Sequence, residues 1–170
     1  MADIKTKYGT EAQAITITLD SLTNNSSRQS TVIDNTTDLY TDALVQVSIN
    51  VPAGTALATA VCEVYAYGMV DYTTTPTYPD WTSGIGSDPI DGTDGAVVLP
   101  STTNLTFLGT VACPTNASNA YTYVSRLMAV APAFGGILPA KWGIVVTNKT
   151  GLTLASGCFA HYQGVLLQAV

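Results

Sequence analysis

The sequence predicts an all-β fold: a two-sheet antiparallel sandwich of about eight strands, wound as a jelly roll, with negligible helix. Three observations predict it. Apolar and polar residues alternate along several segments, the chain is rich in Thr and Val, and Gly, Pro, Asn and Asp punctuate the alternating runs. Alternation marks a strand with one face in a core and one in solvent, because successive side chains point to opposite sides. β-Branched residues fit a pleated surface and lose rotamer freedom in a helix.

The elements follow in chain order. In 14–20, Ile15, Ile17 and Leu19 share one face and Thr16 and Thr18 the other. A second strand is expected over 29–34. In 43–51, Val45, Val47, Ile49 and Val51 oppose Gln46, Ser48 and Asn50. In 59–70, Cys62, Val64 and Ala66 face one way and Glu63, Tyr65 and Tyr67 the other, and both sides are apolar enough to be covered. Further strands are expected over 104–112, 121–130, 142–147 and 158–167, with turn residues between them. The best helix candidate is a single turn within 133–138, kept short by Gly135, Gly136 and Pro139.

A chain of 170 residues suits one domain with one core. Its expected organisation is an N-terminal arm over 1–10 and a sandwich over 11–170 that carries a long loop over 71–95. The arm is polar and holds Lys5 and Lys7; the loop holds Pro76, Pro79 and Pro89 and does not alternate. Connections of that length are usually functional or disordered. Termini and loops of this kind fray unless tied down, so a neighbouring chain is expected to hold both.

Hydrophobic residues make up 46% of the chain and charged residues 11%, with a net charge of −6. Lys5, Lys7, Arg28, Arg126, Lys141 and Lys149 are scattered. Nucleic acid draws affinity from clustered Lys and Arg, and anionic membranes need the same, so neither is an expected partner. The opening residues lack the apolar core of a secretory signal, and no run is long enough to span a bilayer, so the protein is expected to be made in a cytosol and to stay soluble. Cys62, Cys113 and Cys158 read as small buried hydrophobes rather than a disulfide framework. Asn-x-Ser/Thr triplets beginning at Asn24, Asn25, Asn35, Asn104, Asn116 and Asn148 arise by chance in so Asn- and Thr-rich a chain.

Residues for catalysis are sparse. His161 is the only histidine, and an imidazole beside a Ser or Cys can act as a general base, but no Gly-x-Ser-x-Gly elbow accompanies it. Three distant Cys and one His share no zinc spacing. The stretch Ser83-Gly84-Ile85-Gly86-Ser87 lacks the Lys of a phosphate loop. Asp88, Asp91 and Asp94 could offer oxygens to calcium, against ordinary Asp-Gly turn chemistry, and their spacing is not that of an EF-hand. The expectation is a protein without enzymatic activity and without cofactor or metal.

Aromatic residues are more informative. Tyr65, Tyr67, Tyr72, Tyr78 and Trp81 fall on the outward face of one strand and in the loop after it. Gathered amphipathic rings suit an interface core, the cover of a sandwich end, or a stack for sugars. The candidate interface set is Ile4, Lys5, Lys7, Tyr8, Tyr65, Tyr67, Tyr72, Tyr78 and Trp81.

The opening Ala2-Asp3-Ile4-Lys5-Thr6-Lys7-Tyr8-Gly9-Thr10, the stretches Ile33-Asp34-Asn35 and Asp42-Ala43-Leu44-Val45, the run Phe134-Gly135-Gly136-Ile137-Leu138-Pro139-Ala140-Lys141-Trp142-Gly143-Ile144, and Tyr162-Gln163-Gly164-Val165 resemble small structural proteins of tailed bacteriophages. The resemblance covers most of the chain and rests on packing and turn motifs. It implies a virion structural protein, made in the bacterial cytosol and placed on the capsid exterior as a decoration or cement protein. The partners it implies are the major capsid protein and copies of the chain itself. The alternative is a tail or fibre module that binds host-surface glycan through Tyr72, Tyr78 and Trp81.

Overall fold

The computed structural model describes residues 3–55, 57–71, 76–79, 89–100 and 103–169; Tyr72, Trp81 and Asp88 lie outside them. Twelve strands form two antiparallel sheets among the described residues. The first sheet holds β1 (Ile4–Tyr8), β2 (Gln13–Ile15), β5 (Asp42–Val51), β9 (Tyr121–Val124), β10 (Met128–Ala129) and β12 (Phe159–Ala169). The second holds β3 (Ser27–Gln29), β4 (Ile33–Asp34), β6 (Val61–Met69), β7 (Gly95–Val97), β8 (Thr106–Ala112) and β11 (Lys141–Lys149). Two packed antiparallel sheets are what alternation predicts, divided here into twelve strands where about eight were expected.

Several strands are halves of one lane. β1 and β2 both pair with β12, β3 and β4 both with β11, and β9 and β10 both with β5. Between β1 and β2 the chain kinks at Ala12, whose φ of 50° takes it out of the strand conformation. With each such pair counted as one lane, the pairing is nested: first with eighth, second with seventh, third with sixth, fourth with fifth. β12 also pairs with β5 and β11 with β6, which closes each sheet, and β7 adds a short strand beside β3.

The core lies between the sheets and is built from the faces the alternation marks. Val45, Val47 and Ile49 of β5, Cys62 and Val64 of β6 and Ile144 and Val146 of β11 are fully buried. Ile15, Ile17 and Leu19 are buried as well, although the ladder stops after Ile15. Trp142 of β11 meets Tyr162 of β12 edge to face across the sandwich, with ring centroids 5.5 Å apart. The helical turn is a 3-10 turn at Ala131–Phe134, ended by Gly135 in the left-handed conformation.

The second sheet is covered on its outer face too. Tyr67, Met69, Val97, Val145, Ile90 and Leu105 form a smaller core there. Gln29 ties the covering segment down: its amide donates to the Pro89 carbonyl, and its Oε1 accepts from the backbone N–H of Asp91 and Gly92. Tyr67 therefore points outward, as expected, yet is only 1% exposed, and its hydroxyl donates to the Ser30 carbonyl at 2.8 Å. It belongs to a core and not to an interface. Gly143 makes room for it, since a Cβ there would fall inside the Tyr67 ring.

Asn148, one of the Asn-x-Thr asparagines, is fully buried. Its amide donates to the carbonyls of Leu22 and Leu152, and its Oδ1 accepts from the N–H and hydroxyl of Thr150. Removing a side chain that satisfies several buried groups costs the desolvation of each group left behind. Asn148→Ala is expected to lower unfolding stability by about 2–4 kcal/mol in a urea titration. A midpoint unchanged from wild type would show that these bonds do not hold the loop to the core.

Candidate functional site at the ribbon end

β1 lies in the segment expected to be an N-terminal arm held by a neighbouring chain. The alternation of Ile4, Thr6 and Tyr8 with Lys5 and Lys7 was a strand signal, masked by the polarity of the segment. Its partner is the chain's own last strand, in register from Ile4 opposite Ala169 to Tyr8 opposite Val165. The arm expected to be held by a neighbouring chain thus pairs with a strand of its own chain. β5 stops at Asp42, opposite Val165, so β1 and the end of β12 run on past it as a two-stranded ribbon.

Every residue of β1 is exposed. Directly opposed residues of an antiparallel pair share a face, so Ile4, Thr6 and Tyr8 lie with Val165, Leu167 and Ala169, and Lys5 and Lys7 lie with Leu166 and Gln168. Ile4 is 71%, Leu167 60% and Tyr8 56% exposed. Lys5 and Lys7 make no ion pair with a described residue, whereas Arg28, Lys141 and Lys149 pair with Asp94, Asp34 and Glu63.

The ribbon is seated by Tyr40. A Cβ on Gly164 or Gly9 would fall within the Tyr40 side chain, so the ring lies against the backbone of both strands at the ribbon's root. Gln13 donates to the Tyr40 hydroxyl at 3.2 Å and accepts from the Tyr162 hydroxyl at 2.7 Å. Asn35 fixes the Tyr40 backbone from both sides, donating to its carbonyl and accepting from its N–H. These glycines and Tyr40 are the residues that sequence reasoning missed, because nothing local ties position 40 to positions 9 and 164.

The same end of the sandwich carries Leu39, Val70 and Ile137, all strongly exposed. Leu39 does so with a φ of 54°, a conformation that disfavours a large side chain. Beside Val70 and Ile137 lies an open groove of about 700 Å³, also lined by Met69, Tyr78, Pro79 and Phe134. Tyr78 is half-buried and packs edge-on against Tyr67, with centroids 6.3 Å apart. Tyr65 is elsewhere, on the outer face of the second sheet, 5.5 Å from the Phe107 ring. Its hydroxyl donates to Glu63, and burial together with that carboxylate pushes its pKa up to about 12. Of the predicted interface set, then, Ile4, Lys5, Lys7, Tyr8 and Tyr78 gather at this end, Tyr65 and Tyr67 do not, and Tyr72 and Trp81 lie outside the described residues.

His161 stacks on Phe159, centroids 4.8 Å apart, and makes no hydrogen bond to a described residue. Cys62 and Cys113 are buried neighbours in the core, where their contact and burial push the Cys62 thiol up. No group of three or more His, Cys, Asp or Glu among the described residues is placed to hold a metal. Asp91 accepts from the N–H and hydroxyl of Thr93, closing a turn. Asp94 accepts from Arg28 Nε at 2.6 Å and from the Thr18 hydroxyl and N–H. Burial pushes the Asp94 carboxyl up, but the bonds from Arg28 and Thr18 outweigh it and hold its pKa below the ordinary value.

Two outcomes follow from these contacts. Gly164→Ala is expected to unseat Tyr40 and release β1, read as at least tenfold faster hydrogen exchange at Ile4–Tyr8 with core amides unchanged; equal exchange would contradict the seating. Asp94→Asn is expected to cost about 1–2 kcal/mol at pH 7. Because the native pKa is depressed, that difference is complete above the ordinary carboxylate value of about 3.9 and shrinks as pH falls through the lower native value. A gap that is constant from pH 7 to pH 2 would assign the loss to something other than ionisation.

Comparison with protein-family models, with curated proteins and with solved structures gives no match.

Proposed function

We propose that the protein is a non-enzymatic structural component of a virus particle, a decoration or cement protein on the exterior of a bacteriophage capsid. In this reading it grips neighbouring major capsid subunits and copies of itself. The observation that carries it is the ribbon: two paired strands that extend past the neighbouring β5 with Ile4, Tyr8 and Leu167 exposed. The nested lanes support a jelly-roll reading of the sandwich, a winding that recurs in capsid and lectin domains. Fold alone does not assign function, so the weight rests on the surface.

The physics suits a shell. Covering an exposed Leu, Ile or Tyr contributes about 1.5–3 kcal/mol each, which makes one ribbon a modest anchor. Repetition multiplies it, because a chain held at one contact meets the next at high effective concentration. Lys5 and Lys7 on the other ribbon face offer charge to an acidic partner and steer approach.

The second reading is a tail or fibre module that binds host-surface glycan. The groove beside Tyr78 is the observation that favours it, with Tyr72 and Trp81 as the other stacking rings. Glycan-array binding that disappears in Trp81→Ala would promote it.

For the main reading, deletion of residues 2–8, or the paired change Ile4→Asp and Leu167→Asp, is expected to leave a folded sandwich by circular dichroism. Retention on purified particles after dilution is expected to drop at least tenfold. Folded variants that stay on the particle as wild type does would overturn the assignment of the ribbon as the grip.

A further inference from the structure

We infer that the free edge of β1 is a docking site for an extended, acidic segment of another protein, which adds to the first sheet as one more antiparallel strand. The inference deepens the ribbon reading and rests on it, by naming the kind of chain that meets the ribbon.

The direction of the β1 backbone groups follows from register. Gly9, one step beyond the pair of Tyr8 and Val165, donates its N–H to the Gly164 carbonyl at 2.8 Å, so position 9 faces β12. From the other side of β12, Thr41 donates to the Val165 carbonyl at 2.7 Å, so position 165 faces away from β1. Bonded and non-bonded pairs alternate along an antiparallel ladder. Lys5 and Lys7 therefore turn their backbone groups to β12, and Ile4, Thr6 and Tyr8 turn theirs outward. No described strand pairs with that outward side, and every residue of β1 is exposed. The N–H and C=O groups of Ile4, Thr6 and Tyr8 stand in a row at strand spacing, the template that strand addition uses.

Charge selects the occupant. Residues of an added strand that lie across from Lys5 and Lys7 form the closer, non-hydrogen-bonded pairs, where side chains interact most. A second copy of β1 fits badly there. Its outward residues are again 4, 6 and 8, so every antiparallel register that bonds more than one of them sets a lysine directly opposite a lysine. Lysine on an edge strand is a general guard against pairing. Here the guard discriminates, because neither ammonium has an ion-pair partner among the described residues and each is open to a carboxylate. Asp3 stands just before β1 and repels a third acid at that end. The strand that fits is five residues long, with acids at its second and fourth positions and apolar residues at its ends, beside Ile4 and Tyr8.

The test is an NMR titration of the full chain, labelled with nitrogen-15, with the blocked pentapeptide Val-Glu-Thr-Glu-Val up to about 5 mM, the range of a single weak contact. The amides of Ile4, Thr6 and Tyr8 are expected to shift saturably, and those of Lys5 and Lys7, already turned to β12, to change little. The peptide with Lys for Glu, and the Glu peptide N-methylated at its Thr, are each expected to bind at least tenfold more weakly. Thr6→Pro removes an outward N–H and no bond to β12, so it is expected to keep the wild-type circular dichroism and lose at least tenfold in affinity. Lys5→Glu with Lys7→Glu is expected to reverse the preference toward the Lys peptide. Equal binding of the Lys or N-methylated peptide, or no shift at Ile4, Thr6 and Tyr8 at the highest concentration, would overturn the inference. No particle enters this titration, so the two readings fail separately: a chain that binds the peptide but is absent from the shell keeps the docking edge and loses the cement assignment.

Discussion

The rest of the structure depends on where the last thirty residues go. β11 and β12 occupy the interior of the two sheets, and each is gripped on one edge by a lane from the first fifth of the chain and on the other by a lane from its second quarter. Neither sheet is complete until the C-terminal strands have entered it. The contacts that hold the sandwich are therefore mostly long-range in sequence, and loop closure must be met before they reward it. Buried β11, with Trp142, Ile144 and Val146 on one face and Gly143 and Val145 on the other, is the strand both layers share.

That constraint explains the ribbon. β12 is longer than the strand beside it, so its end would be a bare edge if β1 did not pair with it. Pairing produces a ribbon with little support from below, and Tyr40 against Gly9 and Gly164 supplies the support at its root. The second sheet has its own outer cover around Tyr67, Ile90 and Val97. A chain with 11% charged residues must place its apolar surplus somewhere, and among the described residues part of it lies on the ribbon and beside it at the same end.

Much of the fold was legible because half-buried strands write themselves as alternation. Val45 to Val51 and Cys62 to Ala66 point where the pattern says they do. Legibility failed where burial came from tertiary cover. Tyr67 has the pattern of a surface aromatic, and only a segment more than twenty residues later makes it core. β1 was missed because exposure on both faces removes the apolar contrast that usually announces a strand. The broken lanes were read as continuous because the breaks at 30–32 and 125–127 carry no Gly or Pro to mark them. The candidate site was half legible: the terminal residues stand out by composition, whereas the Tyr40 seat depends on positions separated by more than a hundred residues.

On the proposed function, this molecule works by what its ribbon end touches. A reconstruction, at side-chain resolution, of a phage particle that carries the chain is the most direct check. The expected result is the sandwich on the outside of the shell, with Ile4, Tyr8 and Leu167 buried against neighbouring subunits. A particle in which the chain sits only at the tail tip, or stands on the shell with the ribbon in open solvent, would contradict it.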